Sequence, residues 1–585
     1  MLPDPATPAT LAGLLVRAAE QTAALGAEDR LGLRFLDRRE HEVWLSWPDL
    51  YQRARRAAGA LRARGVRPGD RVAIILPTSP LFVDAFLGCQ VLGAVPVPLY
   101  PPVRLGRLDE YFDRTAAMLR KVEAVCIVAD AQVRRILGQV VARHRCPLGN
   151  LGAETLCDGP EHEGTRTQAD DLAMVQFSSG TTVDPKPVGL SHRQVIANTE
   201  AIMDFIPADA EHEQVGVSWL PLYHDMGLIG CIFPAMHRPG PLTLIPPEVF
   251  LLRPGIWLRA IARYRGTVSP APDFAYGLCL DRVTDEEMEG CDLSSWRLAL
   301  DGAEPVSAAR LRRFVQRFSR WGLRAEAVTP VYGLSEAALA VTFGATDHPF
   351  SSLRLDRRAL AEGRAREVDE ATTDTEPVEL CCVGRPLRGF ALEIRDPDGI
   401  VLPEGRVGRL FVSGPSLMRG YLNEQAQPIV DGWLDTGDLG FLRGGELYIS
   451  GRDKDVVILR GRNHSPQDLE GALDGLEGVR PGCVIAVGMV DAEGERLVLF
   501  VEVRAPQPDL AEACRRAVLA HSGLDPSLVV LLEPGTLPRT SSGKLRRAEA
   551  LRQWQAGLLL PPERVTPWLL AGALAKSALG YLGGR

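Results

Sequence analysis

Through the first 330 residues, short apolar runs rich in β-branched side chains alternate with longer segments whose apolar positions recur every three to four residues. Arg71–Leu76 (RVAIIL) and Val125–Ala129 (VCIVA) read as buried strands, with Gln132–His144 as the helix that follows the second. Leu172–Phe177 is followed by helical spacing over Val195–Phe205, and Arg297–Leu300 by the same spacing over Ala308–Trp321. Strand–helix alternation of this kind predicts an α/β fold with largely parallel sheets. From Cys381 the pattern shifts to shorter strands with turns at Pro397-Asp398-Gly399 and Pro403-Glu404-Gly405, which predicts a small β subdomain over about 380–450. Beyond Gly451 a compact α+β stretch carries strands Val484–Val487 and Arg496–Val503 joined by a turn at Asp491–Glu495. Between these parts, residues 345–379 are polar and irregular, and read as an inserted loop with one short helix. The expected organisation is a large N-terminal domain of packed sheets over 1–450, a smaller α+β domain over 451–555, and a tail over 556–585.

Composition narrows the class. A chain of 585 residues with 46% hydrophobic content can bury several large cores, and a net charge of −8 gives no basic face for nucleic acid. Met1–Gln21 lacks a basic start followed by a long apolar core, so no secretory signal is expected. The 11 cysteines form no CxxC pair and no zinc-site spacing, which suits reduced thiols in a cytoplasmic protein. The terminal stretch VTPWLLAGALAKSALGYLGGR is apolar but broken by Lys576. Docking on the body is the expected outcome, a weak membrane-surface contact the alternative, and a transmembrane helix is not expected.

Only five of the 66 basic residues are lysines: Lys121, Lys186, Lys454, Lys544 and Lys576. Where arginine is the default, a lysine points to a site that needs a compact ammonium. Three of the five fall in loops rich in glycine and hydroxyls. VQFSSGTTVDPKPVGLSH (Val175–His192) is built to hold phosphate: Ser178, Ser179, Gly180, Thr181 and Thr182 offer N–H groups and hydroxyls ahead of Lys186. SWLPLYHDMGLIG (Ser218–Gly230) sets His224 and Asp225 inside an apolar stretch. LALDGAEPV and VTPVYGLSEAALAVT each combine a strand, a glycine turn and a carboxylate, Glu304 and Glu336 respectively. Gly333-Leu334-Ser335-Glu336-Ala337 has alanine where a hydrolase elbow needs its second glycine, so Ser335 is not read as a nucleophile. Asp438, Arg452 and Lys454 crowd around tight turns, and LPRTSSGKLRR presents Lys544 on a loop.

In order, spacing and content these stretches resemble the adenylate-forming superfamily of acyl and aminoacyl ligases over roughly residues 10 to 555. VPVPLYPP, WLPLYHDMGLIG, YGLSEAALAVTF, RGRNHSPQDLE and the insertion at 345–379 are similar to the fatty acyl-AMP ligases within it. The resemblance implies the following roles. Ser178 to Thr182 and Lys186 would grip the phosphates of ATP, Tyr332 would stack on adenine, and Asp301, Gly302, Ala303 and Gly333 would line the base pocket. Glu336 and Thr182 would hold Mg²⁺. Asp438 and Arg452 would bind the ribose hydroxyls, and Lys454 would mark the hinge of a mobile C-terminal domain. Lys544 would contact the substrate carboxylate and α-phosphate, with His224 and Met226 bordering the acyl entrance.

The implied reaction makes a fatty acyl-adenylate and pyrophosphate, then passes the acyl group to the phosphopantetheine thiol of a separate acyl carrier protein, for which Arg539, Arg546, Arg547 and Arg552 could form a landing patch. An acyl-CoA ligase and a catalytically weakened acyl- or nucleotide-binding homologue are the alternatives. Four residues depart from the family pattern. Val183 and Pro187 stand where glycine is usual, and Asp273 and Asp301 where asparagine is usual.

Overall fold

The computed structural model describes residues 7–102, 108–178, 185–206, 214–368, 377–424, 428–459, 462–491, 494–505, 507–540, 544–562 and 576–577. Its largest sheet has nine strands, and the parallel core of that sheet positions the site. Val268–Ala271, Leu298–Asp301 and Val328–Gly333 lie side by side and parallel, with Ala271 opposite Asp301 and Asp301 opposite Pro330. Antiparallel strands Glu42–Ser46 and Ala340–Phe343 close the parallel run at its two ends. A second, four-stranded parallel sheet joins Val95–Leu99, Arg71–Ile75, Cys126–Ala129 and Asn150–Gly152. Helices pack between and over the sheets around buried Trp47, Phe82, Phe86, Trp257 and Phe314. The α/β architecture expected from the apolar pattern is present.

Three local expectations need correction. Gln132–His144 is not one helix but two short ones, Ala131–Arg134 and Gly138–Arg143. At Gly138 a Cβ would strike the carbonyl oxygen of Ser577 at 1.8 Å, and the Gly138 N–H donates to the Ser577 hydroxyl at 2.8 Å. The described part of the tail therefore docks on the body, and no described helix is long and apolar enough to cross a membrane. Leu172–Phe177 does not enter a parallel sheet. It pairs antiparallel with Pro187–Ser191, the strand that follows the phosphate-type stretch in sequence. The insertion is more ordered than a loop with one helix, because Ser352–Leu355 and Val378–Cys381 pair antiparallel around helix Arg357–Ala361.

The β subdomain is a five-stranded antiparallel sheet built on Ala391–Arg395, Gly408–Ser413 and the long strand Trp433–Arg443. After the turn at Asp453–Asp455, the chain forms its own apolar cores around Leu469, Val484, Leu499, Val501 and Phe500. These lie on the sheet Val479–Asp491, Gly494–Val503 and Leu528–Leu532. All 11 cysteines are free thiols, most of them buried.

Candidate active site

Ligands of open parallel sheets bind beyond the C-terminal ends of the strands. Here those ends deliver Asp273, the Asp301–Glu304 turn and the Tyr332–Glu336 turn to one place. Each turn is shaped by its neighbours. A Cβ on Gly333 would meet the Leu339 carbonyl oxygen at 1.9 Å, so only glycine lets the two strands close there. Ala303 holds φ 67°, an uncommon conformation for a side-chain-bearing residue, and points to a turn held by its surroundings.

Tyr332, Asp438 and Arg452 meet although they are far apart in sequence. The Tyr332 hydroxyl donates to one carboxylate oxygen of Asp438 at 2.7 Å, and Arg452 Nε donates to the other at 2.9 Å. Asp438 and Arg452 are opposed across the strand pair Trp433–Arg443 and Glu446–Arg452. Lys454, just beyond, is exposed in the turn that leads into the C-terminal part.

Glu336 receives a hydrogen bond from the Tyr421 hydroxyl at 2.9 Å, and the ammonium of Lys186 lies 4.5 Å from the centre of the Tyr421 ring. Burial raises the Glu336 carboxyl, while Tyr421 opposes that. Lys121 anchors the same segment from behind, donating to the Pro185 carbonyl at 3.3 Å and pairing with Glu424 at 3.1 Å. Leu422 N–H donates to the Pro187 carbonyl at 2.8 Å, so Pro187 still takes part in pairing on the side where its own N–H is missing. Ser178 N–H donates to the Lys186 carbonyl at 2.9 Å. Ser179, Gly180, Thr181, Thr182 and Val183 lie outside the described residues.

His224 Nδ1 sits 2.6 Å from Asp225, and the Ser335 hydroxyl donates to the other oxygen of the same carboxylate. Burial works against the Asp225 charge, yet His224, Ser335 and Lys544 outweigh it and bring the group down to about 2. The Ser335 hydroxyl is thus engaged with the Asp225 carboxylate. Met226 is buried alongside.

The carboxyls of Asp273 and Asp301 adjoin. Neither oxygen of Asp301 accepts a hydrogen bond from a described N–H or O–H. Burial pushes the Asp301 carboxyl well up, as do the charges of Asp273 and Glu304, and all three favour its neutral form beside Asp273. Asp273 also accepts from Ser307 N–H at 3.0 Å and pairs with Arg310, whose other nitrogen reaches Asp474 of the C-terminal part at 3.0 Å.

Glu304 accepts from Phe274 N–H at 2.6 Å, and burial, with Asp273 adding to it, raises its carboxyl to about 7. Raised from 4.5 to about 7, this group binds its proton more tightly in the folded chain, so its contribution to stability fades as pH climbs through that window. The unliganded protein is therefore expected to lose melting temperature between pH 5 and pH 7 more steeply than Glu304→Gln. Identical slopes in a thermal-melt series would remove this assignment.

Lys544 comes from the C-terminal part, and its backbone pairs with Thr540. Burial and the nearby Arg452 charge lower its ammonium, while Asp225, Glu304 and Asp438 support it. Its ammonium lies among carboxylates of the body. The arginine landing patch does not form as expected. Arg546 and Arg547 are turned inward, Arg547 gripping Glu470 at 2.7 and 2.6 Å, and Arg552 is paired with Glu549. Tyr421 and Arg310 were not singled out from sequence, and Asp225 was noted beside His224 inside an apolar stretch without a role of its own.

The profile of the family described as "AMP-binding enzyme" matches residues 20–422. A putative acyl-CoA synthetase of Caulobacter vibrioides is 35% identical, over 86% of this chain and 88% of its own. The medium-chain fatty-acid–[acyl-carrier-protein] ligase JamA of Moorena producens is 32% identical, over 90% and 94%. A solved structure from work on fatty acyl-adenylate ligases of E. coli and L. pneumophila superposes with a TM-score of 0.86 at 35% identity, covering 94% of this chain and 98% of that one.

Proposed function

The chain belongs to the AMP-binding enzymes, and from that premise we propose that it is a fatty acyl-AMP ligase that uses ATP to activate a fatty acid and then loads an acyl carrier protein. The observation that carries this reading is the position of Lys544, brought by the C-terminal part into a cluster with Asp225, Glu304, Asp438 and Arg452. JamA supports both the fatty-acid substrate and the carrier.

A fatty carboxylate oxygen attacks the α-phosphorus of ATP. The bond to the bridging oxygen breaks, and pyrophosphate leaves with its electron pair. Holding the reactants in line and neutralising spreading negative charge supply most of the acceleration in such a displacement. Lys544 supplies an ammonium to the substrate carboxylate and the α-phosphate. Asp438 and Arg452 take the ribose hydroxyls, and Asp438 fixes the Tyr332 ring through its hydroxyl for stacking on adenine. Asp301, Gly302, Ala303 and Gly333 line the base pocket, while Ser178, Thr181, Thr182 and Lys186 receive the phosphates. His224 and Met226 border the acyl entrance, and Lys454 lies at the hinge between domains 1–450 and 451–555.

Glu336 fits Mg²⁺ as a hard oxygen donor whose orientation Tyr421 fixes, with Thr182 as a second ligand. When bound, the ion would neutralise phosphate charge.

Pyrophosphate release measured across a panel of fatty acids tests the first step, and competition between CoA and carrier protein tests the second. No release with any fatty acid would overturn the proposal. The Caulobacter relative keeps the acyl-CoA ligase alternative in view. Against it stands the insertion, whose Arg357 pairs with Asp468 and contacts His521, both of the C-terminal part. His521 in turn holds Asp468 at 3.0 Å. These contacts tie the C-terminal domain to the body in the orientation that seats Lys544. Arg357→Met is expected to raise acyl transfer to CoA several-fold while leaving pyrophosphate release near wild type. An unchanged rate of thioester formation would show that the insertion does not limit the rotation.

A further inference from the structure

Arg547 is one of the arginines of the expected landing patch, and the structure turns it inward. It is the first residue of helix Arg547–Gln555, three positions beyond Lys544. A cation there faces the positive end of the helix dipole, so nothing local favours it. Its partners are distant in sequence. Arg547 Nε and Nη2 donate to the two oxygens of Glu470 at 2.7 and 2.6 Å, and Nη1 donates to Asp455 at 3.2 Å. The side chains of Arg547, Glu470 and Asp455 are only 11, 13 and 5% exposed.

Asp455 follows Lys454 and ends the turn Asp453–Asp455 that joins the two parts of the chain. Glu470 lies on helix Pro466–Gly471 and also accepts from Ala486 N–H at 3.0 Å, which ties it to strand Val479–Asp491. On the other side of Lys454, Asp453 meets Arg409 of the β subdomain at 3.8 Å, with both side chains more than a third exposed. An exposed pair of that length holds little. The turn is therefore fastened to the C-terminal part and only loosely to the body.

The backbone between Arg547 and Lys544 is also fixed. Arg546 N–H donates to the Pro538 carbonyl at 3.0 Å, and Leu545 pairs with Arg539. The Lys544 carbonyl accepts from Thr540 N–H at 2.8 Å, and Lys544 N–H donates to the Thr540 hydroxyl at 3.0 Å. Where Arg547 is held, Lys544 follows.

We propose that Arg547 is a positioning residue for adenylation, fastening the segment of Lys544 to Asp455 so that the orientation of the hinge turn sets the place of the Lys544 ammonium. This rests on the adenylating function proposed above. Arg547 acts through Lys544 and touches no substrate. A planar fork can engage carboxylates on two elements at once, which a single ammonium does poorly. A misplacement of about 1 Å at a reacting group can cost on the order of a hundredfold in rate.

The first test needs no fatty acid. The chain has five lysines, so brief acetylation of the full chain with an amine-reactive reagent can be read lysine by lysine by peptide mass spectrometry. Lys544 is expected to label several-fold faster in Arg547→Met and in Asp455→Asn, with Lys121 and Lys186 unchanged. An unchanged Lys544 rate in both variants, or a uniform rise at all five lysines, overturns the proposal. In turnover, Arg547→Met is expected to lower the rate of pyrophosphate release at least tenfold, with the KM for ATP and for fatty acid near wild type, and Arg547→Lys to recover part of it. In a Lys544→Ala background Arg547→Met should cause no further loss. A further loss of the same size there would make Arg547 a general support of the C-terminal part and also overturns the proposal. Asp455→Asn leaves the fork to Glu470 in place and carries both tests if Arg547→Met does not fold. Faster Lys544 labelling in the variants of a protein that activates no fatty acid would refute the proposed function and leave the positioning of Lys544 standing.

Discussion

Replacing Lys544 by alanine is expected to cut acyl-adenylate formation by about a hundredfold or more while ATP binding stays close to wild type. Removing one preorganised donor from developing charge typically costs ~3 kcal/mol of transition-state stabilisation. Lys544 is contributed by the C-terminal part, its surroundings are Asp225, Glu304, Asp438 and Arg452, and Asp225, Glu304 and Asp438 have other partners. Its removal should leave the nucleotide contacts of Tyr332, Asp438 and Arg452 intact. Lys544→Arg should rescue poorly, since a planar fork replaces a compact ammonium and Arg452 already lies beside it. The measurement is pyrophosphate release under saturating fatty acid, with ATP affinity determined separately. Near wild-type release from Lys544→Ala would end the assignment of Lys544 and weaken the proposed function with it.

The second large effect is expected at Glu336. Glu336→Gln keeps an oxygen for the Tyr421 hydroxyl, so the local fold should survive. What it loses is charge, and a bound divalent cation is worth several kcal/mol of transition-state stabilisation in reactions of this type. Adenylation is therefore expected to fall about a hundredfold at ordinary Mg²⁺, with the half-saturating Mg²⁺ concentration shifted upward and partial recovery at high Mg²⁺. Tyr421→Phe should show a milder form of the same shift, because it frees the carboxylate to turn without removing it. A Glu336→Gln enzyme with a normal Mg²⁺ titration would mean that the carboxylate serves only to hold Tyr421.

The sequence also posed a conflict at Asp273 and Asp301, where two aspartates stand in place of the usual asparagines. In the fold burial and the neighbouring carboxylates favour the neutral form of Asp301, and Arg310 pairs with Asp273. The intact set of Glu336, Asp438, Arg452 and Lys544 argues against a weakened homologue, since a decayed site has no reason to keep a buried carboxylate satisfied by two donors.

Much of the molecule was legible one segment at a time. Apolar periodicity located the strands before Asp301 and Glu336, because a buried strand and an amphipathic helix each leave a local pattern. The scarcity of lysine pointed to Lys186 and Lys544, because a compact ammonium is a chemical requirement that survives when other basic positions are arginine. What the chain alone could not decide was which distant groups meet. Tyr421 with Glu336, Ser335 with Asp225, Arg357 with Asp468 and Arg310 with Asp474 are separated by 85, 110, 111 and 164 positions. No local pattern encodes such pairs. Burial forces every polar group to find a partner, but which partner it finds depends on how the sheets and the C-terminal part pack. The same packing overruled the expected landing patch, turning Arg546 and Arg547 inward, and paired Leu172–Phe177 with Pro187–Ser191 instead of with a parallel neighbour. Residue chemistry was set by the sequence. Proximity, charge balance and the direction each arginine faces were set by tertiary structure, because desolvation acts on the assembled neighbourhood and not on the segment.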